Sequence, residues 1–223
     1  MLYNHHVYDR VLCTCVARFA KERFHTPHDR EQYRDDESEE DNNLHENNDG
    51  LKDFISFPSD IVPKEIKPHW VPAADVLMAE KGLNTEHFEN FRDALIDASP
   101  HMMWRETYKG TEIDSNFLDR FACYEIIGRD APFGSKQMRS FVVYQPPGFY
   151  YPFHEHPAEE IYVVLAGEAK FSVEGKEAQI LTSGDHMLHP SNVPHALETY
   201  KHPVMAYVVW RNEFDTKPIW SKQ

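Results

Sequence analysis

The 223-residue chain is short of cysteine, of positive charge and of long apolar runs. Each shortage closes off a class of protein. Only Cys13, Cys15 and Cys123 occur. An odd, low count gives no disulfide framework, and Cys13 and Cys15 stand too close for an ordinary bridge. Nor does a second pair exist to complete a structural metal site with them. A reducing compartment, the cytoplasm, is the expected location. No apolar run approaches the ~20 residues that span a bilayer, so no membrane partner is expected. The opening MLYNHHVYDRVLCTCVARFAKER lacks the apolar centre and small-residue cleavage site of a signal peptide. Its Val11, Leu12, Cys15, Val16 and Phe19 recur at helical spacing and predict a short amphipathic helix packing on the body, with a weak targeting segment as the alternative. Acidic residues outnumber basic ones 37 to 23, for a formal charge of -14. That surface repels phosphate backbones and argues against a nucleic-acid partner. Internal repeats are missing too, as are a GxGxxG turn, a P-loop and a GxSxG elbow.

What is present falls into three parts. Residues 1–53 form an N-terminal extension: the amphipathic helix, then an acidic stretch. From Asp29 to Gly50 ten residues are acidic and two basic, with almost nothing apolar, so a flexible linker is expected. Residues 54–100 begin with prolines at 58, 63, 68 and 72, which predict extended chain wrapping a surface. Two helices follow. One spans Ala73 to Lys81 and ends at Gly82. The other is capped by Asn84 or Thr85 and carries Phe88, Phe91, Ala94, Leu95 and Ala98 on one face. Residues 101–223 change character. Short β-rich runs at 121–127, 139–145, 160–166, 169–175, 195–200 and 204–210 alternate with turn signals. The expected fold class is mainly β, an antiparallel barrel or jelly roll in a single domain with N-terminal helices against it. An exposed barrel edge leaves a homodimer open.

The chemistry gathers in GFYYPFHEHPAEEIYVVLAG, residues 148–167. Side chains alternate faces along a strand, so Glu160, Tyr162 and Val164 point one way. His154 and His156 likewise share a face, and a turn at Pro157 and Ala158 brings them beside Glu160. Imidazole and carboxylate together suit Fe, Mn, Ni, Co or Zn, and this set leaves coordination positions open. His195, delivered by the turn built on Pro190, Asn192 and Pro194, is the expected fourth ligand. Glu155 and Glu159 have the opposite parity and read as solvated carboxylates. His186 and His189 lie near the His195 turn; either could support a ligand from behind, but loop histidines are usually exposed, and that is the preferred reading.

Gly148, His154, His156, Glu160 and Gly167 reproduce the first motif of the cupin family. Gly184, Pro190 and His195 match the second, with Asn192 where glycine is usual and Thr199 where asparagine is usual. Asn tolerates a left-handed backbone, so the first departure is mild. The wider context, YYPFHEHPAEEIYVVLAGEA with Trp104-Arg105-Glu106 upstream and VVWRNEF near the end, resembles the cupin dimethylsulfoniopropionate (DMSP) lyases, the DddL type most of all. That resemblance implies a metal-dependent enzyme cleaving DMSP to acrylate and dimethyl sulfide, with Tyr162 as the catalytic base. Tyr150, Tyr151, Phe153, Tyr207 and Trp210 are candidate aromatic walls for the sulfonium, since aromatic faces hold soft cations. The competing readings are a cupin dioxygenase or isomerase, and a non-catalytic cupin binding a small ligand.

Overall fold

The computed structural model describes residues 44–221. The amphipathic helix expected near the N-terminus lies outside the described residues. Among the described residues, four of the five short α-helices come before most of the sheet: α1 (Leu44–Asn47), α2 (Asp49–Phe54), α3 (Pro72–Ala79) and α4 (Glu89–Ala98), with α5 (Ser115–Arg120) later. The strands are β1 (Val62–Pro63), β2 (Trp104–Arg105), β3 (Ala122–Ile127), β4 (Phe133–Gly134), β5 (Arg139–Gln145), β6 (Tyr150–Glu155), β7 (Glu159–Val173), β8 (Gln179–Thr182), β9 (His186–His189), β10 (His195–Glu198), β11 (Val204–Arg211) and β12 (Ile219–Trp220). They are ordered β1-β4-β3-β5-β11-β7-β10-β6-β12, with β2 on β3 and with β8 and β9 on β7. Pairing is antiparallel except between β3 and β4. This is the mainly β, single-domain jelly-roll barrel that the alternating strands predict.

β7 is where the two halves of the barrel join. The sequence suggests two strands divided at Ala166-Gly167, but one strand of 15 residues runs through that point. Its first half pairs with β11 and β9, its second with β10 and β8. Gly167 makes the bend with φ of 76°. A Cβ there would sit 1.8 Å from the Pro203 carbonyl oxygen, so only glycine lets the strand turn from one sheet into the other.

Each central strand is buried on both faces and sorts its side chains by parity. Phe141 and Val143 of β5, Tyr162 and Val164 of β7, and Ala206, Val208 and Trp210 of β11 pack inside the barrel. Val142, Tyr144, Ile161, Val163, Met205, Tyr207 and Val209 face outward, against the helices. On α4, Phe91, Leu95 and Ala98 form the buried stripe, and the Thr85 hydroxyl accepts from the Phe88 amide just before the helix. Burial of such side chains contributes roughly 1.5–3 kcal/mol each.

Part of the expected flexible acidic stretch is ordered. Residues 44–54 form α1 and α2, which bury Leu44, Leu51 and Phe54 against the outer face of the sheet. The Asn48 side chain caps α2 by accepting from the Leu51 amide, and it donates to the Gly184 carbonyl of the barrel. His45 is also buried, within 3.4 Å of the Tyr207 hydroxyl. Few apolar side chains suffice here because each meets a groove already built by the barrel, which composition does not reveal.

Candidate active site

Strand register assembles the site. His154 on β6 lies directly opposite His195 on β10. Glu160 at the start of β7 lies between His189 of β9 and Trp210 of β11. His156 follows β6 in the turn, and its carbonyl accepts from the Asn192 amide. Asn192 has φ of 55°, the left-handed backbone that its place in the second motif asks for. Thr199 holds the turn around Gly148, accepting from the Phe149 amide and donating to the Pro146 carbonyl.

His156, Glu160 and His195 are buried and offer ligand atoms within 4.8 Å of one another. His154 stands outside that set but beside it, its ring centroid 4.2 Å from that of His195. All three histidines turn the same nitrogen outward. Nδ1 of His154 donates to the Pro152 carbonyl at 2.8 Å, that of His156 to Ala158 at 2.9 Å, and that of His195 to Val193 at 2.9 Å. A proton committed to Nδ1 leaves the Nε2 lone pair free. Nε2 of His156 and of His195 are buried 3.5 and 3.2 Å from the Glu160 carboxylate oxygens, but neither makes a hydrogen bond of good geometry among the described residues. Buried acceptors without partners are costly, and a cation shared among them and Glu160 would satisfy them together. The donor set fits a borderline divalent metal.

Glu160 is held from two sides. Trp210 Nε1 donates to Oε1 at 2.5 Å, and His189 Nδ1 donates to Oε2 at 2.6 Å. Burial works against its charge, but the surrounding imidazoles, His156 foremost, outweigh it and hold the carboxyl well below the usual range. Burial drives His154 well below its ordinary value and His189 down to about 4. Burial opposes charge on His156 as well, but the adjacent Glu160 carboxylate more than offsets it and leaves that imidazole raised. His189, for which the sequence favours an exposed loop, instead supports Glu160 from behind. It is not a loop residue: it ends β9, is 1% exposed and stacks on His195 with centroids 4.1 Å apart. Its alternation with Met187, buried against the barrel interior, is the signal that would have found it.

The expected aromatics divide. Tyr162, Tyr151 and Trp210 line one cavity with His154, His156 and Glu160. Tyr162 is buried beside His189, and burial together with the Glu160 charge raises its phenol well above the ordinary value. Tyr151 stacks on His154 at 3.9 Å between centroids, and its hydroxyl meets that of Tyr108. Trp210 packs on His156 at 4.3 Å. Tyr150 and Tyr207 are elsewhere. Tyr150 is 46% exposed and lines a separate outer groove with Phe153. The reason is an irregularity in β6: two steps along β10, from His195 to Leu197, match three steps along β6, from His154 back to Tyr151. The extra residue reverses the alternation, so Tyr151 and not Tyr150 shares the face of His154. Tyr207 points to the opposite side of its sheet from Trp210, toward Phe91 and His45. Glu155 and Glu159 do point away from the cluster; Glu159 accepts from Arg211, and Glu155 accepts from Ser221.

A jelly-roll barrel with a His-and-Glu cluster drawn from two hairpin motifs is a cupin. Residues 60–206 match the dimethylsulfoniopropionate lyase family. The chain is 44% identical over 176 residues to the dimethylsulfoniopropionate lyase DddQ of Ruegeria pomeroyi, covering 79% of this chain and 88% of that protein. The crystal structure of the Ruegeria pomeroyi DddQ superposes with a TM-score of 0.78, over 80% of this chain and 90% of that one. A chain from the crystal structures of the DMSP lyases RdDddP and RnDddQII, 29% identical, also gives 0.78, over 96% of this chain and all of that one. The chain belongs to the dimethylsulfoniopropionate lyase family. Among the described residues no helix is long and apolar enough to cross a membrane.

Proposed function

We propose that this protein is a metal-dependent DMSP lyase that releases acrylate and dimethyl sulfide by β-elimination. The observation that carries the reading is the shared orientation of His154, His156 and His195 around Glu160: each commits Nδ1 to a backbone carbonyl, which leaves Nε2 for a ligand bond. These three histidines and Glu160 are the proposed ligands of a divalent ion, drawn from Fe, Mn, Ni, Co and Zn. Bound there, the ion supplies a Lewis acid for the substrate carboxylate and a positive charge near the Tyr162 phenol, opposing the raised pKa.

Tyr162 is the proposed base. It would act as the phenolate, which the charge of a bound ion would favour: the phenolate oxygen takes the α-proton and becomes the phenol, the C–H electron pair becomes the new double bond, and the Cβ–S pair leaves with dimethyl sulfide. The leaving group is neutral, so no general acid is needed. Trp210 and His189 orient the Glu160 carboxylate through the bonds described above. Tyr151, Phe121 and Trp210 line the cavity and are the proposed aromatic wall for the sulfonium. As to type, the local resemblance pointed to DddL, whereas the similar proteins named above include DddQ enzymes; the DddQ type is the one we adopt.

The test is headspace dimethyl sulfide from purified, metal-loaded wild type and Tyr162→Phe. Gas from wild type with a ~10²–10⁴-fold loss in the variant, its metal content unchanged, is the expected result. No gas from a wild type that holds metal would send the search to other cupin substrates, oxygen-dependent ones first. Equal rates in both proteins would place the base elsewhere.

A further inference from the structure

Arg105 is the only Lys or Arg among the described residues lining the cavity that holds His156, Glu160 and Tyr162. It sits on β2, opposite Cys123 of β3. Its Nη1 donates to Glu125 Oε1 at 2.5 Å. Glu125 is fully buried and takes a second guanidinium, that of Arg139, on the same oxygen. The other Arg139 donor arm goes to the Phe214 carbonyl at 2.7 Å. One carboxylate therefore faces two guanidinium groups, and this buried cluster keeps a net positive charge. Uncompensated charge away from water is costly and favours an anionic partner.

The two arginines are not equivalent. The Arg139 side chain is 8% exposed, whereas that of Arg105 is 20% exposed and opens on the cavity. Nη1 is the one Arg105 donor atom with a hydrogen bond among the described residues, so Nε and Nη2 are available. The guanidinium is held over the Phe141 ring, 5.4 Å from its centroid, and tethered by Glu125. A planar fork fixed at one corner and open at the others is suited to a carboxylate.

We propose that Arg105 binds the carboxylate of the substrate and sets which way round a zwitterion enters. The proposal rests on the lyase reading, whose substrate carries a carboxylate at one end and a sulfonium at the other. Arg105 attracts the first and repels the second, leaving the sulfonium to the aromatic part of the cavity that Tyr151 and Phe121 line. Glu125 holds the guanidinium in place without cancelling the charge of the cluster.

Wild type, Arg105→Gln and Arg105→Lys, each matched for metal content and checked for a native thermal transition, would be compared in two ways. KM and kcat for DMSP come first; calorimetric binding of propionate, with propionamide as the neutral probe, comes second. For Arg105→Gln we expect KM and the propionate Kd to rise ~10–100-fold, propionamide binding to stay level and kcat to change less than KM, because a hydrogen-bonded charge is lost. Arg105→Lys should fall between the two. A folded Arg105→Gln enzyme that binds DMSP and propionate like wild type would overturn the proposal. If that variant does not fold, Arg105→Lys decides: a severalfold loss of propionate affinity supports the fork, and wild-type affinity removes it. Arg105-dependent propionate binding in a wild type that yields no dimethyl sulfide would keep the anion seat and reject the lyase reading.

Discussion

Tyr162 and Tyr207 sit on neighbouring antiparallel strands, and both are buried. Val208 pairs with Tyr162, and Tyr207 with Val163, so the two tyrosines are one register step apart. That step sends them to opposite sides of the sheet. Tyr162 enters a cavity of histidines and a carboxylate, while Tyr207 enters an apolar layer closed by α1, α2 and α4. Both are buried tyrosines in the middle of a barrel strand. The face alone separates a candidate base from a packing residue, because a strand reverses its side chains at every step.

The comparison breaks most sharply at the cluster itself. His156→Ala or His195→Ala should lose stoichiometric metal, and with it all measurable turnover, as read by elemental analysis of the purified variants. Retained metal at one equivalent would dismiss the ligand assignment. Next comes the tyrosine pair: against the large loss expected for Tyr162→Phe, Tyr207→Phe should keep its rate within about twofold, since an outward-facing hydroxyl reaches no reacting atom. A smaller effect, on stability alone, is expected at the outer layer. Leu51 is fully buried there, and Leu51→Ala should cost about 2–5 kcal/mol in denaturant unfolding with the rate per folded molecule unchanged.

The smallest effect concerns His45, behind Tyr207. Burial lowers its pKa from 6.5 to about 4. Above pH 6.5 the imidazole is neutral whether the chain is folded or not, and it adds no pH dependence. As pH falls from 6.5 toward 4 the unfolded chain takes up a proton that the folded one refuses, so stability declines across that window, by about 2–3 kcal/mol at pH 4.5. His45→Gln should remove that part of the decline, seen as a shallower fall in unfolding free energy between pH 7 and 4.5 than in wild type. Parallel curves would show that His45 is not the group responsible.

Much of the site is written locally. The spacing from Gly148 to Gly167 places two histidines, a glutamate and a tyrosine on one hairpin, because a strand's period of two and a tight turn leave little freedom. The same periodicity marks the barrel strands and the stripe of α4. It would also have separated Tyr207 from Trp210, three residues apart and therefore on opposite faces. What strand alternation could not give was the irregularity in β6 that exchanges Tyr150 for Tyr151, since the extra residue exists only relative to the register of β10.

By itself, then, the sequence determined the β class, the His154–His156–Glu160 hairpin and His195 as its partner from a second turn, all consequences of spacing along one chain. Tertiary structure alone decided that β7 continues through Gly167 from one sheet to the other, that His189 and Trp210 clasp Glu160, that residues 44–54 pack on the barrel, and that Arg105 opens on the cavity. Those facts depend on which distant strands become neighbours. That choice is made by burying side chains against partners some 20 to 160 residues away, such as Glu125 for Arg105 and Tyr207 for His45, and no local pattern encodes it.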